Sequence, residues 1–89
     1  MKAIVTVIGK DHVGITASVC AMLAKHNINI LDIAQTVLQG YFTMVMLVDT
    51  AACTTPIAEL TDILHKAGEA EELSIRIQRE DIFNAMHRI

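Results

Sequence analysis

The chain has 89 residues, of which 53% are hydrophobic and 19% charged, and its formal net charge is −3. This length predicts one domain, 1–89, and so small a domain favours self-association because it buries a limited share of its surface. The weakly acidic charge and the few aromatic residues, one Tyr and two Phe, argue against a nucleic-acid-binding surface. The sequence contains no run of about 18 apolar residues, so it predicts no membrane span. We expect a cytoplasmic protein.

The first segments predict a strand followed by a helix. Residues 2–8 are rich in β-branched side chains and end at Gly9, which is typical of a strand before a turn. Apolar residues then recur at the spacing that forms one stripe on a helix: Ile15, Val19, Met22 and Leu23. "HNIN" ends this helix, because Asn tolerates left-handed backbone and competes for backbone hydrogen bonds.

The middle of the chain predicts a β-hairpin. Residues 28–38 and 41–48 are rich in β-branched and other apolar residues, and Gln39 and Gly40 between them form a tight turn. The second strand is apolar on both faces, since Phe42, Met44 and Met46 alternate with Val45 and Leu47. Such a strand predicts a sheet that is covered on both sides.

The last third predicts a helix, a strand and a short helix. Thr54 or Thr55 is expected as N-cap, Pro56 in the first turn and Gly68 at or near the C-cap. Leu73, Ile75 and Ile77 alternate with polar residues, which indicates a strand. Residues 79–89, "REDIFNAMHRI", predict an amphipathic C-terminal helix.

The element order is β-α-β-β-α-β, which predicts an α+β, ferredoxin-like sandwich. Its four-stranded antiparallel sheet carries two helices on one face. The other face needs a cover because the third strand is apolar on both sides. The C-terminal helix or a second subunit can supply that cover, and we favour the helix.

The strand-to-helix turn "GKDHVGIT" is the candidate binding site. Backbone N–H groups at a helix N-terminus attract anions, and Gly14 allows a ligand to approach them. Asp11 can hold an ammonium group, so a zwitterionic amino acid fits this turn better than a phosphate. The alternative interpretation is that Asp11 caps the helix and the glycines only turn the chain. The spacing matches no nucleotide-binding motif.

"GKDHVGITASVCAMLAKHNINILDIAQ" resembles the opening of an ACT domain, with its G-x-D-x-x-G-[IL] turn, helix and "N-I-N-I" strand. The whole chain is similar to the short stand-alone ACT proteins of bacteria and archaea. The resemblance implies a regulatory homodimer that binds an amino acid and acts in trans on a partner. It places the ligand between one subunit's turn, Asp11, His12, Val13, Gly14 and Ile15, and the neighbour's Asn29, Ile30 and Leu31. Many ACT turns carry proline where this chain has Val13.

Other chemistry has little support in the sequence. Cys20 and Cys53 lack metal-ligand spacing, and His26, His65 and His87 are expected to be solvated helix residues, so we expect no metal and no cofactor. Ser18 and Cys20 fall inside the first helix pattern without a neighbouring base, which argues against an enzyme. Two alternatives to ligand sensing remain. One is a protein-interaction module, and the other is an acylphosphatase-like enzyme, although the first arginine of the chain is Arg76.

Overall fold

The computed structural model describes residues 1–81 and confirms the predicted element order. The elements are β1 (Lys2–Lys10), α1 (Ile15–Lys25), β2 (Asn29–Leu38), β3 (Tyr41–Asp49), α2 (Ile57–Ala70) and β4 (Leu73–Arg79). The strands pair in the order β2-β3-β1-β4, and every pair is antiparallel. The fold is therefore the ferredoxin-like sandwich. Of the predicted C-terminal helix, 79–89, residues 82–89 lie outside the described part.

One core joins the two helices to one face of the sheet. Its central side chains come from both helices and three of the strands: Val5 and Val7 of β1, Val19 and Leu23 of α1, Met44 and Met46 of β3, Leu60 and Leu64 of α2, and Ile75 of β4. Residues that alternate with the buried ones lie on the opposite side, which we call the open face. It consists of Ile4, Thr6 and Ile8 of β1, Asp32, Ala34, Thr36 and Leu38 of β2, Tyr41, Thr43, Val45 and Leu47 of β3, and Ser74, Arg76 and Gln78 of β4.

The hairpin prediction is confirmed, and each strand differs from its predicted range by one residue at one end. β2 begins at Asn29 rather than at residue 28, and β3 continues through Asp49. The turn residues Gln39 and Gly40 both have left-handed backbone, with φ of 50° and 82°. Two left-handed residues are what a two-residue hairpin needs to match the twist of its strands.

The predicted N-cap of the second helix is wrong. Pro56, not a threonine, is the N-cap of α2, and no side chain caps this end. Gly68 is near the C-cap, as predicted, but the helix continues to Ala70 and Glu71 is the C-cap residue. A Cβ atom at Gly68 would lie 2.7 Å from the carbonyl oxygen of Leu73, so this glycine allows the helix and β4 to approach each other.

Candidate functional site

The first turn leaves the N-terminus of α1 without a side-chain cap. Gly14 is the N-cap residue, with left-handed φ of 90°, and its carbonyl accepts the N–H of Ser18 at 2.9 Å. No side chain caps the helix, so the interpretation of Asp11 as its cap is wrong. The left-handed glycine turns the chain into the helix by itself, and the N–H groups of the first helical turn have no carbonyl one turn earlier to bond.

Four of the five predicted turn residues face solvent. Asp11, His12, Val13 and Gly14 are exposed, whereas Ile15 is buried and anchors the helix to the core. The Nδ1 atom of His12 lies 3.2 Å from the carbonyl oxygen of Val13. The turn therefore presents its backbone and the Asp11 and His12 side chains outward. Ile15 can offer its backbone to a ligand, but its side chain is occupied in the core.

The predicted strand residues lie at the start of β2. Asn29 and Leu31 are exposed and Ile30 is half-buried. The pairing of β2 with β3 shifts by one residue between Ile30 and Asp32, so Leu31 is an extra residue that bulges from the ladder. A bulge re-aims side chains at a sheet edge and is often found beside binding sites.

Within one subunit these two groups of residues lie at opposite ends of the sheet. The turn follows Lys10, which pairs with Tyr41, and Tyr41 pairs with Leu38 at the end of β2. Asn29 pairs with Asp49 at the other end. Nine residue steps of about 3.3 Å separate the two ends of β2 by roughly 30 Å. A single copy therefore does not assemble the predicted site.

β2 is an edge strand whose outer edge pairs with no other strand of the described chain. Leu38 is 70% exposed, Val37 54% and Ile33 39%. The N–H of Ile33 donates to its neighbour's carboxylate, Asp32 Oδ1, at 2.9 Å, which indicates that it points away from the β3 ladder. A long apolar edge of this kind is a template for pairing with another strand.

Two contacts of the turn and the start of α1 were not predicted from the sequence. The N–H of Asp11 donates to the carbonyl of Gly40 at 2.8 Å, and the Oγ1 hydroxyl of Thr16 donates to Gln35 Oε1 at 3.3 Å. These contacts fasten the turn and the start of α1 to the β2–β3 hairpin. They join residues far apart in sequence, and no local pattern marks them.

Within residues 1–81 no three His, Cys, Asp or Glu side chains are arranged to hold a metal ion. The hydroxyl of Ser18 donates to Glu71 Oε2 at 2.8 Å, so it holds the start of the α2–β4 connection. No helix in this part of the chain is long and apolar enough to cross a membrane.

The ACT domain family model matches residues 2–78, which include all six elements up to the penultimate residue of β4. The chain belongs to the ACT domain family. ACT domains are regulatory domains that bind small ligands, and members of this short type are regulatory rather than catalytic units.

Full-length relatives share the whole length of this ACT domain. The chain is 51% identical to a UPF0237 protein of Listeria innocua over 89 residues, and the match covers both chains completely. A solved ACT domain protein from Streptococcus pneumoniae is 41% identical, covers 98% of both chains and superposes with a TM-score of 0.84. A formyltetrahydrofolate deformylase from Pseudomonas putida shares the fold, with a TM-score of 0.80 at 13% identity. That match covers 91% of this chain and 29% of the deformylase.

Proposed function

We propose that this ACT domain binds an amino acid or a similar small zwitterion between two copies of the chain and regulates a partner in trans. The observation that carries the proposal is the N-terminus of α1, which is capped by left-handed Gly14 and by no side chain. Its N–H groups can receive a carboxylate, and the helix dipole favours the negative charge. The exposed carboxylate of Asp11 is available for the ligand's ammonium group.

The second copy supplies the other half of the site by edge pairing. Two β2 strands that pair antiparallel about a two-fold axis bring the Leu38 end of one strand beside the Asn29 end of the other. Because the first turn is bonded to Gly40 at the Leu38 end, it then lies near residues 29–31 of the second copy. This arrangement joins the two groups that one subunit keeps roughly 30 Å apart.

Regulation follows if the ligand binds one arrangement of the two copies more tightly than another. A ligand can shift such an equilibrium only by its difference in affinity for the two arrangements. A ligand that contacts both copies meets this condition because separation of the copies removes half of its contacts. The partner protein would then bind one arrangement of the dimer more tightly than the other.

The first test is a thermal-shift screen of the full chain against the twenty amino acids, with sulfate and phosphate as anions that lack an ammonium group. A ligand at about 100 times its dissociation constant adds about 2.7 kcal/mol of stability. We expect at least one amino acid to raise the melting temperature. Asp11→Asn removes the proposed partner of the ligand's ammonium group, and Asn29→Ala changes the part of the site on β2 of the second copy. Each change should therefore reduce the ligand-induced rise in melting temperature.

Asp62→Asn is the matched control, since Asp62 is an exposed aspartate on α2 far from the turn in sequence. It should leave the ligand-induced shift unchanged. A shift that survives Asp11→Asn would contradict the proposed role of the turn. A flat screen would favour the alternative function, a protein-interaction module, which the exposed apolar side chains of the open face support.

A further inference from the structure

The open face exposes apolar side chains along its whole length. Ile8 is 48% exposed, Tyr41 57% and Val45 36%, and Ile4 and Leu47 are half-buried. Contiguous apolar surface on a sheet is normally covered by another layer or by a partner. This face is distinct from the hydrogen-bonding edge of β2 and from the first turn. Whatever covers it is therefore independent of the proposed ligand site.

A depression of about 190 Å³ lies on this face. Its walls are Ile4, Asp32, Ile33, Ala34, Val45 and Leu47, so it crosses β1, β3 and β2. Ile4 pairs with Leu47 on one side and with Gln78 of β4 on the other. The depression is therefore at the same end of the sheet as the last residues of β4.

The rest of the chain starts at this end and is long enough to reach the depression. β4 ends at Arg79, beside Ala3, and Glu80 and Asp81 have helical backbone. Adjacent strands are about 4.8 Å apart, so the path from β4 over β1 to β3 is about 10 Å. Eight residues in helical conformation span about 12 Å.

The sequence of residues 82–89, "IFNAMHRI", complements this face chemically. Ile82, Phe83, Met86 and Ile89 share one side of a helix, and polar residues occupy much of the other side. That other side carries Asn84, His87 and Arg88.

We propose that residues 82–89 form a helix that crosses the open face of their own subunit, with its apolar side on the sheet and Phe83 over the depression. Attachment two residues from the sheet gives the segment a high effective concentration at its own face, which favours it over a second copy. The helix then closes the apolar core on its second side and leaves the β2 edge available for pairing.

A single tryptophan tests this placement because the chain contains none. Phe83→Trp puts the probe on the apolar side of the segment, and Asn84→Trp puts it on the neighbouring polar side as the control. We expect the Phe83→Trp protein to emit at shorter wavelength and to be quenched less by acrylamide than the Asn84→Trp protein. These differences should persist on dilution, with sedimentation velocity measured in parallel.

Second changes on the sheet identify the surface that the probe contacts. Val45→Asp on the open face should shift the emission of the Phe83→Trp protein to longer wavelength, whereas Val37→Asp on the helix side of β2 should not. Ala34→Lys places a charge in the wall of the same depression at an exposed position and should increase quenching of the Phe83→Trp protein, so the test remains decisive if Val45→Asp fails to fold.

Two outcomes would overturn the proposal. Equal emission and quenching for the two tryptophan positions would show that the segment does not pack by its apolar side. A buried probe that becomes exposed as the protein dissociates on dilution would show that the segment covers a second copy rather than its own subunit.

Discussion

The N–H of Asp11 donates a 2.8 Å hydrogen bond to the carbonyl oxygen of Gly40, and this bond fastens the candidate ligand turn to the tip of the β2–β3 hairpin. The tip depends on left-handed backbone at Gln39 and Gly40. The bond continues the line of pairing beyond Lys10 and Tyr41, the last paired residues of β1 and β3. The position of the turn is therefore set partly by a glycine 29 positions later in the chain.

Gly40→Ala should lower the free energy of unfolding by about 1 to 2 kcal/mol. A Cβ atom at this position meets nothing within 4 Å, so the cost comes from the φ of 82° alone. Urea unfolding measures the change. Gln39→Gly is the control: it relieves left-handed strain but adds chain entropy, so its net effect should be less than about 1 kcal/mol. A Gly40→Ala protein as stable as the parent would contradict the assigned backbone role.

Gly68→Ala should also destabilise the protein, but for a steric reason. Helix propensity alone favours alanine over glycine by about 1 kcal/mol. The new Cβ atom would lie 2.7 Å from the Leu73 carbonyl and 3.0 Å from Ile75 Cγ1, and backbone cannot move away as a flexible side chain does. We expect a net loss of about 1 to 2 kcal/mol in urea unfolding.

Ala58→Gly, at an exposed position of α2, provides the reference for propensity in this helix. It should cost about 1 kcal/mol. If Gly68→Ala raised stability by a similar amount, the close approach of α2 and β4 would not constrain this position.

Ser18→Ala should remove a side-chain hydrogen bond between α1 and Glu71, the residue that follows α2. The Oγ atom of Ser18 donates to Glu71 Oε2 at 2.8 Å in a partly buried setting. Loss of a hydrogen bond to a carboxylate here should cost about 1 to 2 kcal/mol. Glu71→Gln keeps an acceptor without the charge and should cost less. A double-mutant cycle in urea gives the coupling, and additive effects would show that the two side chains do not interact in solution.

The fold follows from the sequence because its signals are local and agree with one another. The alternation of Met44 and Met46 with Val45 and Leu47 indicates two apolar faces, and Gln39 with Gly40 specifies the hairpin. Long-range relationships carry no such signal. Gly68 resembles a helix terminator in sequence, yet its role is set by the approach of β4.

The candidate site was predictable only in part. The turn is contiguous in sequence, so its glycines and Asp11 identify it. Its bond to Gly40 depends on the tertiary fold, and the capping alternative for Asp11 could be rejected only once the backbone of Gly14 was known. The separation of Asn29 from the turn likewise depends on strand register.

Asp49→Asn should change the acid stability of the protein. The N–H of Ala51 donates to Asp49 Oδ1 at 2.9 Å and lowers the pKa of this carboxyl below its ordinary value of 3.8. The N-terminal ammonium, 3.6 Å from the same oxygen, and Lys2 act in the same direction. A lowered folded-state pKa adds stability above the unfolded value, and this stability is lost as the pH falls through the folded value.

The expected result is a difference between the parent and Asp49→Asn that is constant near neutral pH and shrinks below about pH 4. Urea unfolding at a series of pH values measures it. Glu59→Gln, an exposed change on α2, controls for the general loss of negative charge. A difference that stays constant down to pH 2 would mean that the Asp49 charge does not contribute.

Gln35→Pro should block pairing of two β2 edges while leaving each subunit folded. In a two-residue hairpin closed by Leu38 and Tyr41, the N–H groups of alternate residues point to β3, and those of Val37, Gln35 and Ile33 point outward. The hydrogen bond from Ile33 to Asp32 agrees with this direction. Proline is tolerated on an edge strand where the missing N–H faces outward.

Gln35→Ala is the matched control, because it removes the same side chain and its bond to Thr16 but keeps the outward N–H. Sedimentation velocity should show that Gln35→Pro sediments as a monomer, whereas the parent and Gln35→Ala sediment as dimers. Both variants should unfold near the parent's melting temperature at protein concentrations where all are monomeric. If Gln35→Pro remained a dimer with unchanged affinity, the two copies would associate through another surface, and residues 29–31 would not meet the first turn of a second copy.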